Sequence, residues 1–164
     1  MLKYRIATIE DLPKIVEIYN SVIPSRIVTA DLEPVSVESR TEWFRKHTPK
    51  KWPLFVVENQ EKQIIGWLSF SPYKEHAAYD ITTEIGIYID ENFRRKGVGK
   101  EILNFAIESA LNFGFENLVG VIFGHNIPSL KLFENFGFEV WGRLPNATVL
   151  DGIYRDVVIV GKRV

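Results

Sequence analysis

The spacing of apolar positions changes period several times along the chain, and each change marks an element. Leu2–Thr8 alternates apolar and polar side chains, which predicts a first strand. Glu10-Asp11-Leu12-Pro13 places acids and a proline where a first helical turn accepts them. Leu12, Ile15, Val16 and Tyr19 then recur at helical spacing. Ile23–Pro34 is irregular and carries two prolines. Residues 37–47 read as a second helix, bearing Trp43 and Phe44. Leu54–Glu58 and Ile64–Ser71 read as strands joined by the polar turn Asn59–Gln63, and Thr82–Asp90 as a fourth strand. Val98, Ile102, Phe105, Ala106, Ala110 and Phe113 give a long amphipathic helix over 98–113, with Gly114 at its C-cap position. Leu118–Phe123 is a strand, Ser129–Asn135 a short helix, and Phe138–Gly142 and Ile153–Val160 are strands. The order predicts an α/β protein built on a mixed sheet, not a strictly alternating doubly wound one. Neither a repeat nor a long linker divides the chain, so residues 1–164 are expected to form a single domain.

Composition narrows the chemistry. Twenty basic and 21 acidic side chains leave a net charge of −1, which argues against broad binding to nucleic acid or to an anionic membrane. No cysteine is present, so disulfides, thiolate catalysis and Cys-based zinc sites are excluded. The three histidines (His47, His76, His125) lack metal-ligand spacing, and no metal is expected. The N-terminus has no signal-peptide run and no stretch is long enough to span a membrane, so a cytoplasmic location is expected.

One segment carries a specific signal. The strand Glu84–Asp90 leads through Glu91-Asn92-Phe93 into Arg94-Arg95-Lys96-Gly97-Val98-Gly99-Lys100, and the long helix starts at once. A helix N-terminus exposes unpaired N–H groups and a partial positive charge. Glycines allow close backbone approach to an anion, and the basic run adds charge. A phosphate or pyrophosphate cradle is the expected use. A dinucleotide fingerprint fails because Ile102 holds its third glycine position. A Walker A loop fails at Gly99-Lys100-Glu101.

Arg94-x-x-Gly97-x-Gly99 resembles the R/Q-x-x-G-x-G/A signature of the GCN5-related N-acetyltransferase (GNAT) superfamily. Asn126-x-x-Ser129 with Leu132-Phe133-Glu134-Asn135-Phe136-Gly137-Phe138 is similar to that family's second signature. Pro72-Tyr73-Lys74, Ala78-Tyr79-Asp80-Ile81-Thr82-Thr83-Glu84, Ile18-Tyr19-Asn20 and Arg40-x-x-Trp43-Phe44 resemble its phosphinothricin and methionine sulfoximine acetyltransferase branch. The likeness covers nearly the whole chain. It implies a mostly antiparallel central sheet of about seven strands, the fourth and fifth splayed apart, with about four flanking helices.

The resemblance also implies roles. Acetyl-CoA is the co-substrate. Its pantetheine arm lies along the fourth strand against Ile87, Tyr88 and Ile89. Its pyrophosphate lies in Arg94, Arg95, Lys96, Gly97, Val98, Gly99 and Lys100. Asn126 and Ser129 meet it from the next strand and helix. Gly86 marks a bulge or a close approach of backbone. Glu84 is the candidate general base, since an amine arriving as ammonium must lose a proton before attack. On the strand, Glu84, Gly86 and Tyr88 share one face and Ile85, Ile87 and Ile89 the other. Ile87 N–H, or a near neighbour, is the expected oxyanion donor. Many members carry a tyrosine at the position of Phe133, which cannot donate a proton. The thiolate is then either solvated by water or backbone or protonated elsewhere, with Tyr88 and Tyr154 as the alternative donors, each also readable as a packed strand aromatic. Tyr73 and Lys74 are the expected acceptor contacts, Lys74 meeting a carboxylate or phosphinate, and Ile27, Val28, Thr29 and Ala30 part of the acceptor wall.

The leading expectation is an acetyl-CoA-dependent N-acetyltransferase acting on the primary amine of a small amino-acid-like acceptor, as a homodimer. A peptide or protein N-terminal acetyltransferase is the alternative enzyme. A non-catalytic acyl-CoA-binding module is the alternative from another class, which Phe133 permits and Glu84 opposes.

Overall fold

The computed structural model describes residues 1–164. One seven-stranded sheet contains β1 (Lys3–Ile6), β2 (Leu54–Glu58), β3 (Ile64–Pro72), β4 (Thr82–Ile89), β5 (Asn117–Phe123), β6 (Glu139–Leu150) and β7 (Ile153–Arg163). The α-helices are α1 (Leu12–Val22), α2 (Thr41–Arg45), α3 (Val98–Ser109) and α4 (Ile127–Asn135). The strand order is β1-β2-β3-β4-β5-β7-β6. All neighbours are antiparallel except β4 and β5, which are parallel and pair only over Thr82–Glu84 and Asn117–Val119. Beyond Glu84 the two strands share no ladder. The mixed sheet with splayed fourth and fifth strands is therefore present.

Both faces of the sheet are covered, and β2 records this: all five of its residues are buried. Phe55 and Val57 join one core with Leu68, Phe70, Ile85 and the buried stripe Val98, Ile102, Leu103 and Ala106 of α3. Leu54 and Val56 join a second core with Trp67 and with Leu12, Ile15, Val16 and Ile18 of α1. Each fully buried Leu or Ile there contributes about 1.5–3 kcal/mol relative to exposure. Period two in the strands and period 3.6 in the helices thus sort one set of residues onto two faces. The Glu84 face of β4 is the one toward α1.

Three expected elements differ. The helix over 37–47 is shorter: a 3-10 turn, Glu38–Arg40, precedes α2. Ser36 explains the tight turn, since its Oγ accepts from Ser39 N–H and its carbonyl from Ser39 Oγ. The helix over 98–113 is α-helical to Ser109 and closes in a 3-10 turn, with Gly114 left-handed at φ 80° as its cap. The strand expected to stop at Gly142 runs on to Leu150 and forms a long hairpin with β7. Pro145 reads as a strand breaker because it lacks an N–H. The register between β6 and β7 slips between Leu144 and Thr148, so Pro145 sits in a bulge where no ladder donor is needed.

Candidate active site

The gap between β4 and β5 is lined by free main chain. Asp90 N–H donates to Ile65 O at 2.9 Å. Backbone groups in an antiparallel ladder alternate sides, so Tyr88 and Gly86 also bond β3. Ile85, Ile87 and Ile89 then turn their N–H and C=O groups toward the gap. This corrects one expectation: Tyr88 is bound to β3 through its main chain, and the open template consists of Ile87 and the Ile89 N–H, since Ile89 O accepts from Arg94 Nε. Gly86 is not a bulge, because the β3–β4 register is continuous. A Cβ there would stand 2.7 Å from Ser69 Oγ, so the glycine answers a close approach.

The loop after β4 is fixed from several sides. Asp90 accepts from Asn92 N–H at 2.9 Å and from Lys14 Nζ at 3.2 Å. Asn92 and Lys14 together hold its carboxyl below the usual range, against the effect of burial. Arg94 is turned inward: its Nε donates to Ile89 O at 3.0 Å and its Nη2 to Ser21 Oγ at 3.2 Å. It ties the loop to β4 and α1. Arg95 and Gly97 are left-handed, at φ 60° and 82°, and Gly97 is the N-cap residue of α3. Lys96 Nζ donates to Asn92 O. None of the N–H groups of Arg94, Arg95, Lys96, Gly97, Val98 and Gly99 has an acceptor in the protein. Gly99 lies flat against Ile89 and Leu132, each 3.4 Å from where its Cβ would be. Arg95, Lys96 and Lys100 are exposed around these donors. The run has the chemistry of an anion cradle: donors from the backbone, a helix N-terminus and surrounding cations.

Across the gap, buried Asn126 caps α4 by accepting from Ser129 N–H at 3.3 Å. Its side-chain amide donors have no partner in the protein. Phe133 lies in the main core, edge-on to Phe138 at 4.9 Å and against Gly120, where a Cβ would meet its ring at 2.9 Å. Tyr154 is two-thirds exposed on β7. His125 Nε2–H donates to Arg26 O at 2.9 Å, and Arg26 also pairs with Asp151 at 2.8 Å. The segment 26–30 is thereby held to the end of β5 and to the β6–β7 turn.

On the α1 side of β4 lies a cavity of about 370 Å³. Its walls come from α1 (Ile15, Val16, Tyr19), the α2 region (Arg40, Trp43), β3 (Trp67, Ser69, Ser71) and β4 (Glu84, Gly86, Tyr88). Trp67 and Tyr88 stack at 4.3 Å. Glu84 is the last β4 residue paired with β5, so its side chain stands where the cavity meets the gap. Burial raises its carboxyl above the ordinary value of 4.5, and no ion pair or hydrogen bond offsets that. Burial also raises the Tyr88 phenol strongly, which keeps its proton in place.

Glu84, Gly86 and Tyr88 are brought together as the alternation predicts. Tyr73 and Lys74 are not among the cavity residues. They follow the end of β3, where the Tyr73 ring packs 6.0 Å from Tyr79 and Lys74 Nζ lies over Tyr73 at 5.6 Å. The polar cavity residues missed by the sequence reading are Arg40, Tyr19, Ser69 and Ser71. Tyr19 and Arg40 fell inside recognised short patterns, so a signal existed without a role. The two serines alternate with the core residues Leu68 and Phe70 on β3, and that polar alternation was their signal. No group of three or more His, Cys, Asp or Glu side chains could hold a metal ion. No helix is long and apolar enough to cross a membrane.

Comparison with known proteins agrees with this geometry. Residues 15–138 match the model of the acetyltransferase (GNAT) family. A Bacillus subtilis protein provisionally named phosphinothricin acetyltransferase YwnH is 48% identical over 158 residues, covering 96% of each chain. The L-methionine sulfoximine/L-methionine sulfone acetyltransferase of Pseudomonas aeruginosa is 27% identical over 95% of this chain and 91% of its own. A crystal structure of a phosphinothricin acetyltransferase from Sinorhizobium meliloti in complex with AcCoA superposes with a TM-score of 0.92. It is 26% identical, over 99% of this chain and 88% of that one. With a splayed parallel pair, a glycine-rich anion loop and these relatives, the chain belongs to the GNAT family of N-acetyltransferases.

Proposed function

We propose that this enzyme transfers the acetyl group of acetyl-CoA to the primary amine of a small amino-acid-like acceptor, of the phosphinothricin or methionine sulfoximine type. The observation that carries this reading is Glu84: a part-buried carboxyl, raised by that burial, at the junction of a half-open cavity and the open strand gap. The six unpaired N–H groups from Arg94 to Gly99 fit a pyrophosphate, with Arg95, Lys96 and Lys100 adding charge. Arg94 serves that loop by holding it to β4. The main chain of Ile87 and the N–H of Ile89 fit an extended amide-bearing arm, as an exposed strand edge does, and Asn126 offers its free amide from the other wall.

Glu84 takes the proton from the acceptor ammonium, directly or through water, so that the amine attacks as a free base. Ile87 N–H faces the gap where the carbonyl oxygen gathers negative charge, and stabilises it there. Phe133 cannot return a proton to the departing thiolate, and Tyr154 is too exposed to serve a buried site. Tyr88 keeps its phenolic proton within the cavity, on the Glu84 face of β4. The exposed apolar residues Val140, Trp141, Val149, Ile153 and Tyr154 of the β6–β7 hairpin support a homodimer.

The test is a CoA-release screen over free amino acids, methionine sulfoximine, phosphinothricin and short peptides. Turnover concentrated on amino-acid-like amines is expected. Turnover on peptide N-termini alone would replace this reading with a peptide acetyltransferase. Tight acetyl-CoA binding with no acceptor turned over would replace it with a binding module.

A further inference from the structure

The cavity holds one cation that proton removal at Glu84 does not use. Arg40 lines the same cavity as Glu84. Its guanidinium lies over the Tyr19 ring, 5.1 Å from the centroid, and its Nη2 donates to Asp31 Oδ2 at 2.9 Å. Tyr19 OH donates to the same Asp31 carboxylate and contacts Thr29 Oγ1 at 2.5 Å. These contacts hold the planar fork from one face and one edge. Its Nε and Nη1 groups have no acceptor in the protein. A guanidinium fixed in this way, with donors in hand, is suited to a carboxylate.

The wall near Arg40 is a row of rings. Tyr19 packs against Tyr88 at 5.3 Å, Tyr88 stacks on Trp67 at 4.3 Å, and Trp67 meets Trp43 edge-on at 5.5 Å. Glu84 lies on the β4 wall of that row. A molecule that satisfies all three features has an amine, an apolar body and an anion. That combination describes a free α-amino acid, whose amine and carboxylate both need a partner once water is excluded. Lys74, the cation first expected to take the acceptor's acid, does not line the cavity.

Resting on the amino-acid reading of the acceptor, we infer that Arg40 binds the acceptor's α-carboxylate and so selects free amino acids over carboxyl-blocked ones. Arg40 is here a specificity residue. Glu84 acts on the amine and Arg40 sets which amines come within its reach. The Asp31 pair keeps the guanidinium oriented while the cavity is empty of anion.

The experiment compares L-methionine sulfone with its α-carboxamide as acceptors, at saturating acetyl-CoA, in four proteins. The wild type is expected to favour the acid by about 10- to 100-fold in kcat/KM, the range a hydrogen-bonded charge supplies. In Arg40→Gln that preference falls to near one, while KM for acetyl-CoA stays within about threefold of wild type. Arg40→Lys, which keeps the charge without the fork, retains part of the preference. Asp31→Asn, which breaks the ion pair but leaves Arg40, keeps it. Should Arg40→Gln not fold, the Lys and Asn variants decide between the same outcomes. The inference is overturned if the wild type uses acid and amide equally. It is also overturned if Arg40→Gln loses both in the same proportion, as a merely structural residue would. If the wild type acetylates neither, the amino-acid reading itself fails, which is a separate result.

Discussion

The two sides of β4 are built by opposite means. The proposed cofactor side is largely main chain: a run of unpaired N–H groups from Arg94 to Gly99, and the open strand edge at Ile87 and the Ile89 N–H. That main chain comes from one contiguous stretch. The acceptor side is made of side chains. Tyr19, Arg40, Trp67 and Glu84 come from four elements and meet only when α1 and the α2 region pack onto the sheet. A main-chain site depends on φ and on small residues, and accepts many side chains between its glycines. A side-chain site depends on what each residue is. The cofactor side can therefore stay constant across relatives while the acceptor side is retuned.

Substitutions should separate the two sides. The largest effect is expected at Glu84. Glu84→Gln should lower kcat by about 10²- to 10⁴-fold, the range for a lost general base, with KM for acetyl-CoA unchanged. Steady-state CoA release measures both. Next comes Gly97, left-handed at φ 82° with open space around it. Gly97→Val places a β-branched residue in that conformation at a cost of about 1–3 kcal/mol. The loop should relax away from its shape, raising KM for acetyl-CoA about tenfold and leaving selectivity among acceptors intact. Smaller still is Gly86→Ala. Its Cβ would stand 2.7 Å from Ser69 Oγ and 3.3 Å from the Tyr88 ring, on the cavity floor. Acceptor KM should rise about three- to tenfold with acetyl-CoA KM unchanged, since one methyl group against a ligand is worth ~1 kcal/mol.

The smallest expected effect is on stability, and its sign is informative. The Glu84 carboxyl is raised in the folded protein, so between its ordinary value of 4.5 and its raised value the folded state binds more protons than the unfolded state. Stability then falls as pH rises through that window. Glu84→Gln removes the buried charge, so its Tm at pH 7 should equal or exceed that of wild type. A lower Tm would mean that Glu84 makes a favourable contact in the fold.

This division also explains what the sequence could reveal. The glycines and basic residues of 94–100 are legible because local geometry alone makes an anion site there. The alternation over Glu84–Ile89 correctly placed Glu84 with Gly86 and Tyr88 on one face and the three isoleucines on the other. What alternation could not reveal was depth. Arg94 looks like a phosphate ligand in a basic run, yet its side chain is engaged by Ile89 O and Ser21 Oγ, 73 residues away. Arg40 looks like a surface residue at the start of a helix, and only packing against Tyr19 brings it to the cavity. The strand expected to end at Gly142 runs past Pro145 because a bulge is a property of pairing with β7, not of the residues around it.

The central claim is that a part-buried Glu84 removes the acceptor's proton where the cavity meets the gap. The pH dependence of kcat/KM for the acceptor, at saturating acetyl-CoA, tests it most directly. Wild type should show an acidic limb whose midpoint lies above 4.5, because the raised carboxyl must be ionised to act as a base. Glu84→Gln should lose that limb along with most of the rate. A Glu84→Gln enzyme that keeps both the limb and the turnover would contradict the account.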